Sequence, residues 1–72
     1  MTFFQALYLL ETTEAITTAT EEAYDAVYEA YSLGEHSNRT FQMNMALERY
    51  EELLEDASMK ELYEKMISQD IS

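Results

Sequence analysis

Ser32-Leu33-Gly34-Glu35-His36-Ser37-Asn38 is the one stretch of this chain where turn formers cluster, and it separates two long segments whose apolar residues recur at helical spacing. Gly34 is the only glycine of the 72 residues and proline is absent. Its place suits a C′ residue, where a helix ends in a left-handed conformation that costs glycine nothing. Asn38 or Thr40 is expected to cap the helix that follows. The two arms flanking this loop are nearly equal in length, so the expected fold is all-α: an antiparallel helical hairpin with short flanking helical segments, three to four helices in all, completed by self-association. The whole chain, 1–72, reads as one small acidic domain.

The arms carry matching seams. On the first, Leu9, Ile16, Ala23 and Ala30 alternate with Thr12, Ala19, Ala26 and Leu33, with Val27 beside them, and the small residues admit a close neighbour. The second answers with Met43, Ala46, Leu47, Tyr50, Leu53, Leu54 and Ala57. Two phase shifts interrupt the seams. Met59, Leu62, Tyr63 and Met66 lie opposite the stripe that precedes them, and Ser58-Met59-Lys60-Glu61 has the form of a capping box, so residues 59–68 read as a separate short helix. Phe3, Leu7 and Leu10 likewise lie across from Leu9, Ile16 and Ala23. The threonines at 12, 13, 17, 18 and 20 weaken the helix there, which predicts a bend between residues 12 and 18 with a box of Thr18 and Glu21.

A chain of this size stands near the lower limit for a self-sufficient core, and it has neither cysteines for disulfides nor a Cys/His cluster for zinc. Association with a second copy is the remaining device; Phe3, Phe4, Leu7, Phe41 and Met45 are apolar beyond what a lone hairpin covers, which calls for a homodimer or a terminal helix packed back on the hairpin, the homodimer being preferred. The apolar run Phe3 to Leu10 lacks a basic n-region and is too short to span a bilayer; it reads as neither signal nor anchor, and a cytoplasmic location is expected.

Charge is the strongest functional signal. Fifteen acidic residues face four basic ones, a net charge of −11, and residues 1–36 contain seven carboxylates with no lysine or arginine. Such a chain repels nucleic acids and anionic membranes and attracts basic proteins. Glu11, Glu14, Glu22, Asp25 and Glu29 form one helical stripe opposite the alanine seam. Glu48, Glu52 and Glu55, with Glu51 and Asp56, form a second ridge in which Arg49 is the only cation. Carboxylates one turn apart rise by about 5 Å, close to the spacing of phosphates along a strand, so the ridges are suited to imitate a phosphate row. Tyr24, Tyr28 and Tyr31 flank the first stripe, where tyrosine either edges the core or anchors an interface by giving arginine a stacking face beside a carboxylate.

The ordinary reading of the carboxylates is a solvated face that keeps a small protein soluble. Catalysis is not expected: nucleophile elbows, phosphate loops and Cys/His pairs are absent, and His36 reads as a solvated loop residue. The pairs Glu11 with Glu14, Glu48 with Glu51 or Glu52, and Glu61 with Glu64 lack the Glu-x-x-His units of a di-metal bundle, so neither metal nor cofactor is expected. In size and charge the chain resembles the small acidic proteins that phages and mobile elements use against host nucleases, antirestriction proteins and anti-CRISPRs among them. The likeness is one of general character and shares no motif. It implies an inhibitor acting in a host cytoplasm as a DNA mimic, seated on the basic surface of a nucleic-acid-binding protein. The alternatives are a homo-oligomeric assembly protein, an antitoxin or immunity protein that neutralises a basic toxin, and a ligand-binding oligomer with a tyrosine-lined pocket.

Overall fold

The computed structural model describes the backbone of residues 1–71 and the side chains of residues 1–67. The described residues are all-helical: α1 spans Phe3–Thr12, α2 Thr18–Leu33 and α3 Thr40–Ile71, with a 3₁₀ turn, Ser37–Arg39, before α3.

Each boundary has a local cause. At the start of α1, Thr2 accepts from the Gln5 amide at 3.2 Å while the Gln5 side chain accepts from the Thr2 amide at 2.9 Å, a capping box that the Thr-x-x-Gln spelling announces. The helix stops at the threonine-rich segment. Thr13 closes it, and the Thr13 hydroxyl donates to the Ala15 carbonyl at 2.7 Å and accepts from the Ala15 amide at 3.2 Å, a local turn that competes with helix. The bend expected between 12 and 18 is therefore a full break, but its cap is shifted by one residue. Thr17 is the N-cap of α2 and pairs reciprocally with Thr20, at 3.2 and 2.8 Å, in place of Thr18 with Glu21. Thr20 is buried and its hydroxyl meets the Tyr50 hydroxyl at 3.2 Å in the core, which fixes Thr20 as the partner of Thr17. Glu21 instead sits exposed in the first turn of α2, where its charge favours the helix dipole.

Gly34 ends α2 as expected, with φ at 73°. The Glu35 amide donates to Ala30 O at 2.9 Å and the Gly34 amide to Tyr31 O at 3.3 Å, the bond pattern of a Schellman closure. Neither Asn38 nor Thr40 caps α3. The 3₁₀ turn runs straight into the helix, Thr40 has helical dihedrals, and its hydroxyl donates back to Ser37 O at 2.9 Å.

The core lies among all three helices. Ala6, Leu7 and Leu10 of α1, Ala23, Val27 and Ala30 of α2, and Met43, Ala46, Leu47 and Tyr50 of α3 are buried together. Two parts of the expected seams fall away. Thr12, Ala19, Leu33, Leu54 and Ala57 are exposed, and the break at Thr13 lets α1 turn Ala6, Leu7 and Leu10 inward, although these lie out of phase with the seam of a single long helix. A helix of ten residues is too short to persist alone, so α1 owes its stability to this packing.

The break expected at Ser58 is absent: α3 runs continuously to Ile71. Ser58 lies inside the helix, where Asp56 with Lys60 and Glu61 with Lys65 stand four apart in the orientation that supports helix. Residues 59–68 thus do not fold back, and every residue from Leu54 to Ile67 is exposed. The long axis of 53 Å against 19 and 18 Å follows, since 32 helical residues alone span about 48 Å.

Candidate interaction surface

The acidic residues sort themselves by helix. Glu22, Asp25 and Glu29 are exposed on α2 as expected. The break at residues 13–17 takes Glu11 and Glu14 out of line with them: Glu14 lies in the connection, and Glu11 is half-buried at the end of α1, accepting from Gln42 Nε2 at 2.7 Å. The continuous stripe of five carboxylates read from the sequence is therefore a row of three. On α3 the second ridge is intact, with Glu48, Glu51, Glu52 and Glu55 gathered around one shallow concavity.

The cations are positioned so that they do not neutralise these rows. Arg49 is turned away from its neighbouring glutamates and toward α1, where its Nη1 donates to Leu10 O at 3.1 Å and Thr13 O at 2.5 Å. Those carbonyls end α1 and have no helical partner, so the guanidinium caps a C-terminus and meets its negative dipole end. Arg39 lies 4.9 Å from the centre of the Phe4 ring and donates to Gln42 Oε1 at 3.0 Å, which links it through Gln42 to Glu11. The remaining basic residues, Lys60 and Lys65, are on the projecting half of α3. The inward role of Arg49 escaped the sequence reading because its acceptors are backbone carbonyls more than 30 residues away, which no spacing rule encodes.

The tyrosines separate into distinct environments. Tyr28 and Tyr31 are exposed, whereas Tyr24 is half-buried, its ring 5.3 Å from Tyr50 and 5.9 Å from Tyr28, and its hydroxyl donates to Glu51 Oε1 at 2.8 Å. Burial, helped by that hydrogen bond and the Glu51 charge, pushes the Tyr24 ionisation up from 10.0 to about 12. A raised folded-state value means that Tyr24 favours the fold fully below pH 10 and loses that contribution as pH rises from 10 to 12. Melting curves across this window should therefore show the wild type losing stability relative to Tyr24→Phe. Parallel losses in the two proteins would contradict the assignment.

The residues read as a self-association set have different surroundings. Leu7 is buried in the protein's own core and leaves the set. Phe3 is half-buried and stacks on His36 with ring centres 3.9 Å apart and planes 4° from parallel. His36, exposed and at φ 53°, thus supports the junction of α1 with the turn rather than standing clear in solvent. Phe4 is covered on one face by Arg39, while Phe41 and Met45 are exposed on α3 beside a groove of about 510 Å³ that Glu11, Glu48, Arg49 and Glu52 rim.

Among the described residues no three His, Asp or Glu side chains converge to hold a metal ion, and no described helix is long and apolar enough to cross a membrane. Comparison with protein families, with characterised proteins and with solved structures gives no match.

Proposed function

We propose that the protein is a non-catalytic interaction module that occupies the basic nucleic-acid-binding surface of another protein, using its carboxylates in place of phosphates. The observation that carries this reading is the disposition of the two arginines. Arg49 shares a groove with Glu48 and Glu52 but spends its hydrogen bonds on the end of α1, and Arg39 is held against Phe4 and Gln42, so neither arginine donates to a carboxylate of the rows. Ordinary soluble surfaces intersperse charges of both signs, whereas these exposed rows are carboxylates. Exposed carboxylates one helical turn apart offer lysines and arginines the charge-assisted contacts they otherwise make to a strand.

In this reading α2 and α3 form an antiparallel hairpin that carries the rows. The α3 ridge of Glu48, Glu52 and Glu55 is the principal element, and Glu22, Asp25 and Glu29 of α2 are the second. Tyr28 and Tyr31 supply exposed rings beside the α2 row for arginine to stack on. An inhibitor of phage or mobile-element origin, acting in a host cytoplasm, is the biological setting in which such a surface has a use.

The test is capture on the immobilised protein from a nuclease-treated lysate, at low and at high salt. Recovery of nucleic-acid-binding proteins that is lost at high salt is the expected result, because exposed ion pairs are screened over about 10 Å at 0.1 M salt. Retention of only the protein's own copies would favour the assembly reading instead.

A further inference from the structure

The unbroken α3 helix aligns residues that the expected break at Ser58 would have set on separate helices. Starting at Phe41, the outward positions Met45, Glu48, Glu52, Glu55, Met59, Leu62 and Met66 follow at alternating spacings of four and three. All eight are exposed. This is the spacing of a coiled-coil seam, and it lies on the side of α3 opposite the Met43, Ala46, Leu47 and Tyr50 stripe that enters the core. It extends for about 38 Å.

The chemistry of the seam is unusual. Its ends are apolar, with Phe41 78 % and Met45 51 % exposed at one end and Met59, Leu62 and Met66 66, 57 and 64 % exposed at the other. Its centre is three carboxylates. Arg49 borders the groove beside Phe41 and Met45 but donates to α1, and it, Lys60 and Lys65 each lie one residue, about 100°, off the line, so no basic residue occupies a seam position.

A second copy is a poor occupant. Antiparallel pairing that covers both apolar ends sets Glu52 against the other copy's Glu55, and parallel pairing sets each glutamate against itself. Either arrangement gathers six like charges at the centre of an interface, where repulsion is least screened. We propose that this stripe is the docking seam for a partner helix that is apolar at both ends and basic at its centre. It rests on the reading of the acidic rows as partner-binding surfaces and narrows it, since the α3 ridge becomes the middle of a helix-binding track. Acidic seam positions then fix the register, as buried polar residues do in coiled coils. The groove beside Phe41 and Met45 receives one apolar end of the partner.

The experiment titrates the full chain with two synthetic peptides about four heptads long. One carries leucine at the outer seam positions and lysine or arginine at the three central ones; the other has the same composition with the basic residues moved to the ends. Fluorescence anisotropy should show the basic-centred peptide binding at least about ten-fold tighter. Phe41→Glu, Leu62→Glu and Glu52→Lys, all at exposed positions and checked for unchanged helicity, should each weaken it by about ten-fold or more. Equal affinity for the two peptides, or indifference to Phe41→Glu and Leu62→Glu, would overturn the proposal. If both peptides bind equally and salt weakens both, the seam is wrong while the acidic-surface reading stands. Sedimentation of the protein alone decides the occupant: a monomer is expected, and a dimer dispersed by Leu62→Glu would assign the seam to a second copy.

Discussion

Tyr50→Ala should strip this protein of between about a third and all of its stability at room temperature. Tyr50 is 1 % exposed and is the largest fully buried side chain, packed among all three helices with its ring 5.3 Å from Tyr24. Truncating a buried aromatic residue to alanine costs about 3–5 kcal/mol, and a domain near 70 residues has roughly 4–10 kcal/mol to lose. The hydroxyl has a separate and smaller part. Thr20 Oγ1 donates to Thr17 O at 2.9 Å, so the bond at 3.2 Å is best satisfied with Tyr50 donating to Thr20. Tyr50→Phe keeps the ring, leaves Thr20 bonded to Thr17, and should cost about 1 kcal/mol. Thermal and urea melts followed by circular dichroism separate the two variants. If Tyr50→Ala melted as cooperatively as the wild type and only slightly earlier, the core would not be organised around this residue.

The second large effect concerns binding rather than stability. Reversing Glu48, Glu52 and Glu55 to lysine moves the net charge by six, from −11 to −5, without touching a buried residue or the bond of Tyr24 to Glu51. Helicity should be unchanged, while capture of a basic partner should fall by about a hundred-fold or more, because each lost charge-assisted contact is replaced by repulsion. Reversing Glu22, Asp25 and Glu29 should weaken capture less, since Glu11 and Glu14 no longer extend that row. Equal capture by wild type and both triple variants would remove the carboxylates from the interface.

The parts of the fold that were legible in the sequence are those with a single local cause. Gly34 could stand only where a left-handed residue ends α2, and the threonine cluster could only weaken a helix. Where two residues offered the same chemistry, the reading slipped: Thr17 and Thr18 are both capable caps, and burial of Thr20 against Tyr50 chose between them. Ser58-Met59-Lys60-Glu61 spells a cap equally well at a helix start and inside a helix that never breaks, and no glycine or proline was present to settle it. The inward face of α1 was hidden for a related reason, since Ala6, Leu7 and Leu10 fall into register with the core only after the chain breaks at Thr13. At the candidate site the rows of α2 and α3 were visible as spacing. The withdrawal of Arg49 was not, because it depends on where the end of α1 lands in space.

Carboxylates that stand in for a nucleic-acid backbone compete with it, so the protein and a duplex should exclude one another on a partner recovered by capture. A duplex of random sequence, added at rising concentration to the immobilised complex, should displace the partner stoichiometrically, and the free protein should in turn release the partner from a labelled duplex. A partner that binds the protein and a duplex at the same time, with neither displacing the other, would contradict the account.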